Sequence, residues 1–128
     1  VADIRELDAQ DLPENPDLII GGPPCQAYSA SGRRAGGAAG RLDARGTLFS
    51  AYRDLLDELR PAAFLFENVR GILGTHGGED WKQILGAFSE IDYYLSFRIL
   101  DACDYGVPQH RERLFLVGHR LPLEFDLS

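Results

Sequence analysis

Short apolar runs alternate with amphipathic stretches along this chain, and their spacing predicts an alternating strand–helix order. Residues 17–21 (DLIIG) form a brief apolar run closed by glycines and prolines, as in a buried parallel strand. From Leu48 the apolar positions recur with helical spacing. Leu48, Tyr52, Leu55, Leu56 and Leu59 share one face until Pro61 stops the helix. Residues 62–66 read as a second buried strand running into Glu67-Asn-Val-Arg-Gly71. A second helix aligns Trp81, Ile84, Leu85 and Phe88, with Glu79 and Asp80 at its positive end. Leu95, Phe97 and Ile99 alternate with Ser96 and Arg98, which is the period of a third strand. Residues 113–118 (RLFLVG) make a fourth.

The order β, loop, α, β, α, β, β belongs to an α/β fold whose parallel strands are joined by crossover helices. Between the last two strands, residues 101–112 carry no helical pattern, so those strands are expected to pair antiparallel at one end of the sheet. Residues 21–46 show neither period and read as one long loop; such loops in a compact domain are usually functional, the plainer alternative being a surface insertion.

A length of 128 residues, 45% of them hydrophobic and 26% charged, suits one ordinary globular domain. No run approaches the roughly 20 apolar residues of a membrane span, and the N-terminus has no secretory pattern. Two cysteines are too few for a disulfide framework, and with three scattered histidines they give no metal spacing. Cys103 is expected to be a small core residue.

The net charge of -7 argues against a self-sufficient nucleic-acid binder. Residues 26–47 run the other way, carrying Arg33, Arg34, Arg41 and Arg45 against the single acid Asp43. A basic, glycine-rich loop thus sits on an acidic body.

In open α/β sheets ligands bind at the carboxyl ends of strands, where three polar clusters are expected: Pro23-Pro24-Cys25-Gln26, Glu67-Asn68-Val69, and residues 109–113 (QHRER). Each has a bland reading. A lone cysteine is more often inert than nucleophilic, Glu-Asn can begin a turn, and Arg111 and Arg113 can be a solvated strand edge.

Taken together and in order, GGPPCQAYSASG, RLDARGTLF, ENVRG and DYGVPQHRERLFLVG resemble the blocks of the cytosine C5 methyltransferase family, the likeness running from Asp3 to about Arg120. The resemblance implies a Rossmann-like, S-adenosylmethionine-dependent methyltransferase sheet, of which this chain holds a part. It implies Cys25 as the nucleophile that adds to cytosine C6, and Glu67 as a partly buried acid that meets the ring at N3. Arg113 is implied to bond the cytosine O2, with Arg111 supporting the same pocket. Asp3, Pro24 and Leu48 are implied on the donor side, although Asp3 also suits an ordinary turn cap. A target base must leave the duplex to reach such a site. Gln26, Ser29, Ser31, Arg33, Arg34 and Arg45 are implied contacts to double-stranded DNA, and Asn68 a residue that fixes the loop beside the substrate.

The chain starts with valine, and the family's glycine-rich donor loop and target-recognition region match nothing in it. One catalytic domain, incomplete and inactive alone, is therefore expected over residues 1–128, with a flexible catalytic loop at about 26–46. A complementary subunit, or further parts of the same enzyme, would complete it. The expected setting is the cytoplasm of a bacterium or a phage-infected cell, at the nucleoid. Two alternatives stay open: a tRNA cytosine C5 methyltransferase of the same fold, disfavoured by GILGTHGGED after ENV where that branch carries Cys-Phe-Thr, and a non-catalytic half of a split enzyme.

Overall fold

Residues 3–24 and 46–122 are described by the computed structural model. Their centre is a four-stranded sheet of β1 (Leu18–Gly21), β2 (Ala63–Val69), β3 (Tyr94–Asp101) and β4 (Glu112–His119), in the spatial order β1-β2-β4-β3. β1 and β2 are parallel, and β4 runs antiparallel to both β2 and β3. The expected antiparallel pair therefore lies at one end of the sheet, with β4 inserted between β2 and β3. Because β4 is reversed, its amino end shares an edge with the carboxyl ends of the other three strands.

Helices α1 (Gly46–Leu59) and α2 (Glu79–Ser89) provide the crossovers. They bury one face of the sheet: Phe64, Phe66, Leu114 and Leu116 pack against Tyr52, Leu56, Ile84 and Phe88. Two glycines permit this packing. A Cβ on Gly118 would fall 2.0 Å from the Phe64 ring, and one on Gly21 would fall 2.4 Å from the ring of Tyr52. The Tyr52 hydroxyl donates to the Leu65 carbonyl at 3.1 Å, and burial pushes its pKa up. α1 ends at Leu59, and Arg60 turns out of the helix with φ of 48° before the buried Pro61.

The opposite face carries Leu18 and Ile20, both exposed. On β3, at the edge of the sheet, Phe97 packs edge-on against Trp81 at 5.0 Å yet stays about half exposed, because α2 covers the sheet only that far. Among the described residues no helix is long and apolar enough to cross a membrane.

Three readings need correction. β2 runs on through Glu67, Asn68 and Val69, where polarity had suggested that the strand ended; β4 supplies ladder partners for all three. The stretch between β3 and β4 contains a 3₁₀ turn, Ala102–Tyr105, closed by Gly106 at φ of 81°. Cys103 lies on that turn and is exposed, so it is no core residue. Further 3₁₀ turns, Ile4–Glu6, Ala9–Asp11 and Arg70–Gly78, fall where no helical period was visible.

Candidate active site at the carboxyl edge of the sheet

Strand parity decides which side chains can meet here. Val69 pairs with Arg113 and Glu67 with Phe115, so Glu67 and Arg113 are diagonal neighbours on one face while Asn68 points to the other. Arg113 Nε lies 2.9 Å from Glu67 Oε1, both side chains partly exposed. The guanidinium is steadied further by an Nη1 bond to the Glu112 carbonyl at 2.9 Å.

The segment leaving β1 forms the facing wall. Gly22 stands beside Glu67, and a Cβ there would come within 3.0 Å of Glu67 Oε2. Only a residue without a side chain leaves that carboxylate undisturbed. On the reverse face Asn68 is buried; its Nδ2 donates to the Pro23 carbonyl at 3.0 Å, and its Oδ1 accepts from the Val69 N–H at 2.9 Å. Asn68 thus ties the end of β1 to the end of β2.

Glu67, Arg111 and Arg113 line a cavity of about 400 Å³ together with Gly22, Pro23 and Pro24. Its far wall comes from the 3₁₀ segment after β2, through Gly71, Ile72 and Thr75. A second cavity of about 450 Å³ adjoins the same three charged residues, with Leu100, Tyr105 and Phe115 as apolar walls. The two charged strand ends are strapped across the edge by Arg70, whose Nη1 donates to both carboxylate oxygens of Glu112 at 2.8 and 2.7 Å.

Asp101, the last residue of β3, organises the turn that precedes Arg111. Its carboxylate accepts from the backbone N–H of Arg111 at 2.9 Å and of Cys103 at 3.1 Å, and pairs with His110 Nδ1 at 3.0 Å. These bonds, led by His110, hold its pKa down at about 2, and the same carboxylate raises that of His110.

Of the expected donor-side residues, Pro24 lines the first cavity; Asp3 and Leu48 do not. Asp3 caps the turn Ile4–Glu6, accepting from the Arg5 N–H at 3.0 Å and pairing with the Arg5 guanidinium, which brings its pKa to about 2. That turn packs against α1, whose first residues include the half-buried Leu48. Asp3 is thus an ionised, partly exposed carboxylate on the element beside α1, paired with Arg5. Cys25, Gln26, Ser29, Ser31, Arg33, Arg34, Arg41 and Arg45 lie outside the described residues.

Gly22 and Asp101 escaped the sequence reading. Gly22 was visible as the second glycine of a Gly-Gly-Pro-Pro step. Asp101 could have been found as an acid ending an alternating strand just before turn residues.

The family model for C-5 cytosine-specific DNA methylases matches residues 1–127, and the chain belongs to that family. It is 46% identical to the type II methyltransferase M.FnuDI of Fusobacterium nucleatum over 124 residues, covering 97% of this chain and 35% of that protein. With M.MthTI, a type II methyltransferase of Methanothermobacter thermautotrophicus, identity is 44% over 88% of this chain and 34% of the relative. A solved structure from E. coli, described as a prophage-encoded DNA modification methyltransferase, superposes with a TM-score of 0.70 at 32% identity, over 99% of this chain and 35% of that one. The sheet is accordingly the Rossmann-like methyltransferase sheet. The chain spans about a third of the length of these relatives.

Proposed function

We propose that this chain is the central catalytic segment of a DNA cytosine C5 methyltransferase, working on double-stranded DNA as part of a longer or two-part enzyme. One observation carries the reading. Glu67, Arg111 and Arg113 converge in a single cavity whose opposite wall, Gly22 to Pro24, leads directly into Cys25. A flipped pyrimidine is the substrate class that uses a thiol, a carboxyl and a guanidinium around one ring. The description of the family model and that of the E. coli prophage structure point to DNA, and the two relatives are named type II methyltransferases.

In this reading the Cys25 thiolate forms a bond to C6 of the extruded cytosine. The displaced ring electrons pass towards N3, where Glu67 delivers a proton, and C5 becomes nucleophilic. Arg113 donates to O2, which draws the guanidinium off Glu67 as the base arrives. Arg111 flanks the same cavity and carries positive charge towards the phosphates. S-adenosylmethionine, when bound, supplies the electrophilic methyl group that C5 takes; Asp3, Pro24 and Leu48 are the residues of this chain that would hold it. The C5 proton then passes to solvent water as the Cys25–C6 bond breaks and regenerates the thiolate, and the N3 proton returns to Glu67. Gln26, Ser29, Ser31, Arg33, Arg34 and Arg45 are assigned to the DNA backbone and the vacated stack.

The test is covalent trapping. The full gene product that carries this segment is incubated with S-adenosylmethionine and a duplex containing 5-fluorocytosine, where the C5 fluorine blocks release. A denaturation-resistant adduct that Cys25→Ala abolishes is the expected result. An adduct on the matching RNA and not on DNA would move the assignment to an RNA enzyme, and no adduct on either would end the reading.

A further inference from the structure

We infer that Asp101 is a positioning residue for this reaction: its carboxylate closes the 102–110 turn onto the Arg111 backbone and so fixes where Arg111 enters the cavity. The inference rests on the proposed function and adds to it a residue that touches neither base nor donor.

Three features support it. Asp101 is the ladder partner of Glu112, so it stands at the level of the sheet edge where the arginines begin. Its Oδ1 accepts from two backbone N–H groups eight residues apart, Cys103 at one end of the turn and Arg111 at the other. The turn has few other ties, namely Ala102 N–H to the Arg111 carbonyl at 3.2 Å, Val107 N–H to the Ala102 carbonyl at 3.2 Å, and the short-range bonds made by Gly106 and Gln109. Without the carboxylate, the Arg111 N–H loses this acceptor and, among the described residues, the turn that delivers Arg111 keeps only the bonds just named, while Arg113 stays in its ladder with Val69 and Leu100. Displacements of the order of 1 Å at a reacting group can cost about a hundredfold in rate. His110 lies on the outer side of Asp101 through Oδ2 and steadies the carboxylate without entering the cavity.

Asp101→Ala and Asp101→Asn separate positioning from general damage. Asparagine keeps an oxygen for the Arg111 and Cys103 N–H groups; alanine keeps none. In the full gene product, Asp101→Ala is expected to slow adduct formation on 5-fluorocytosine DNA by about 10- to 100-fold. Affinity for S-adenosylmethionine, measured by calorimetry, should stay within about twofold, since its holders lie at the β1 side. Asp101→Asn should recover most of the rate. The Arg111 amide, followed by hydrogen exchange, should exchange faster in Asp101→Ala than in the parent.

Parental rates in Asp101→Ala, an asparagine variant as slow as alanine, or donor affinity falling in step with rate would each overturn the inference. A parent that forms no adduct would instead sink the functional reading, and the Arg111 amide would then decide the structural tie alone.

Discussion

Arg113 Nε sits 2.9 Å from Glu67 Oε1, diagonally across the antiparallel pair of β4 and β2. The pair is partly exposed, so it contributes little to holding the fold together. Its placement matters more: a carboxyl and a guanidinium are held at adjacent points of one cavity by two strands, on rigid backbone. Glu67→Gln and Arg113→Ala should each lower the rate of methyl transfer by about 10²- to 10⁴-fold, the range for removing a proton donor or a charge-stabilising group. Thermal unfolding should move little in either. Because the two act on one ring, the double variant should lose far less than the product of the single losses, and full additivity would show that they serve separate steps.

Gly22 and Gly118 offer a contrast within one sheet. An alanine methyl at 118 would lie 2.0 Å from the Phe64 ring, a fully buried side chain with nowhere to go. Gly118→Ala should therefore destabilise by about 1–3 kcal/mol or more through overpacking, read from chemical denaturation. At position 22 the new methyl meets the far end of a movable side chain, Glu67 Oε2 at 3.0 Å. Gly22→Ala should leave stability nearly unchanged and reduce transfer by about tenfold through a displaced carboxyl. Equal stability losses at both positions would contradict this account.

Both helices and all four strands could be read from the chain, because each has a clear period: Tyr52, Leu55 and Leu56 on α1, Trp81, Ile84 and Phe88 on α2, and alternation along β3. What periodicity cannot carry is partnership. Glu67 to Val69 looked like a loop because polar residues follow an apolar run, yet β4 extends the ladder over them. The insertion of β4 between β2 and β3 is a tertiary choice that leaves no local mark. Cys103 looked like core because free cysteines usually are, but it belongs to a 3₁₀ turn outside the sheet. The charged trio of the site came from motif likeness; the residues that place the trio, Gly22 and Asp101, make backbone-scale contacts that no motif spelled out.

Asn68 is the tie between the ends of β1 and β2. Replacing it with alanine removes the donor to the Pro23 carbonyl and the acceptor for the Val69 N–H, at a buried position. A loss of about 1–3 kcal/mol is expected on unfolding, the cost of leaving such groups poorly satisfied. Because Pro23 and Pro24 form the wall that leads to Cys25, adduct formation should fall as well. Asn68→Asp should also be impaired, since a carboxylate has no hydrogen to give Pro23. An Asn68→Asp variant with parental stability and rate would remove this residue from the site's framework.

The turn before Arg111 should respond to pH at both ends of the range. Asp101 titrates at about 2 in the folded chain, below its ordinary carboxylate value, because of His110 and the two backbone donors. The stabilisation it brings is therefore complete above about pH 4 and is lost as pH falls through about 2. His110 is shifted upward by the same carboxylate. Its share is complete below the ordinary histidine value, about 6.5, and is lost as pH rises through the raised folded value. The closed turn should thus be firmest between about pH 4 and 6.5 and should loosen on either side. His110 is mostly exposed, so the alkaline arm should shrink as salt is added. Following the His110 ring protons by NMR against pH measures this directly. The midpoint should lie above that of an unpaired histidine in the parent and drop towards it in Asp101→Asn. A His110 midpoint that is the same in both proteins would show that the contact does not persist in solution.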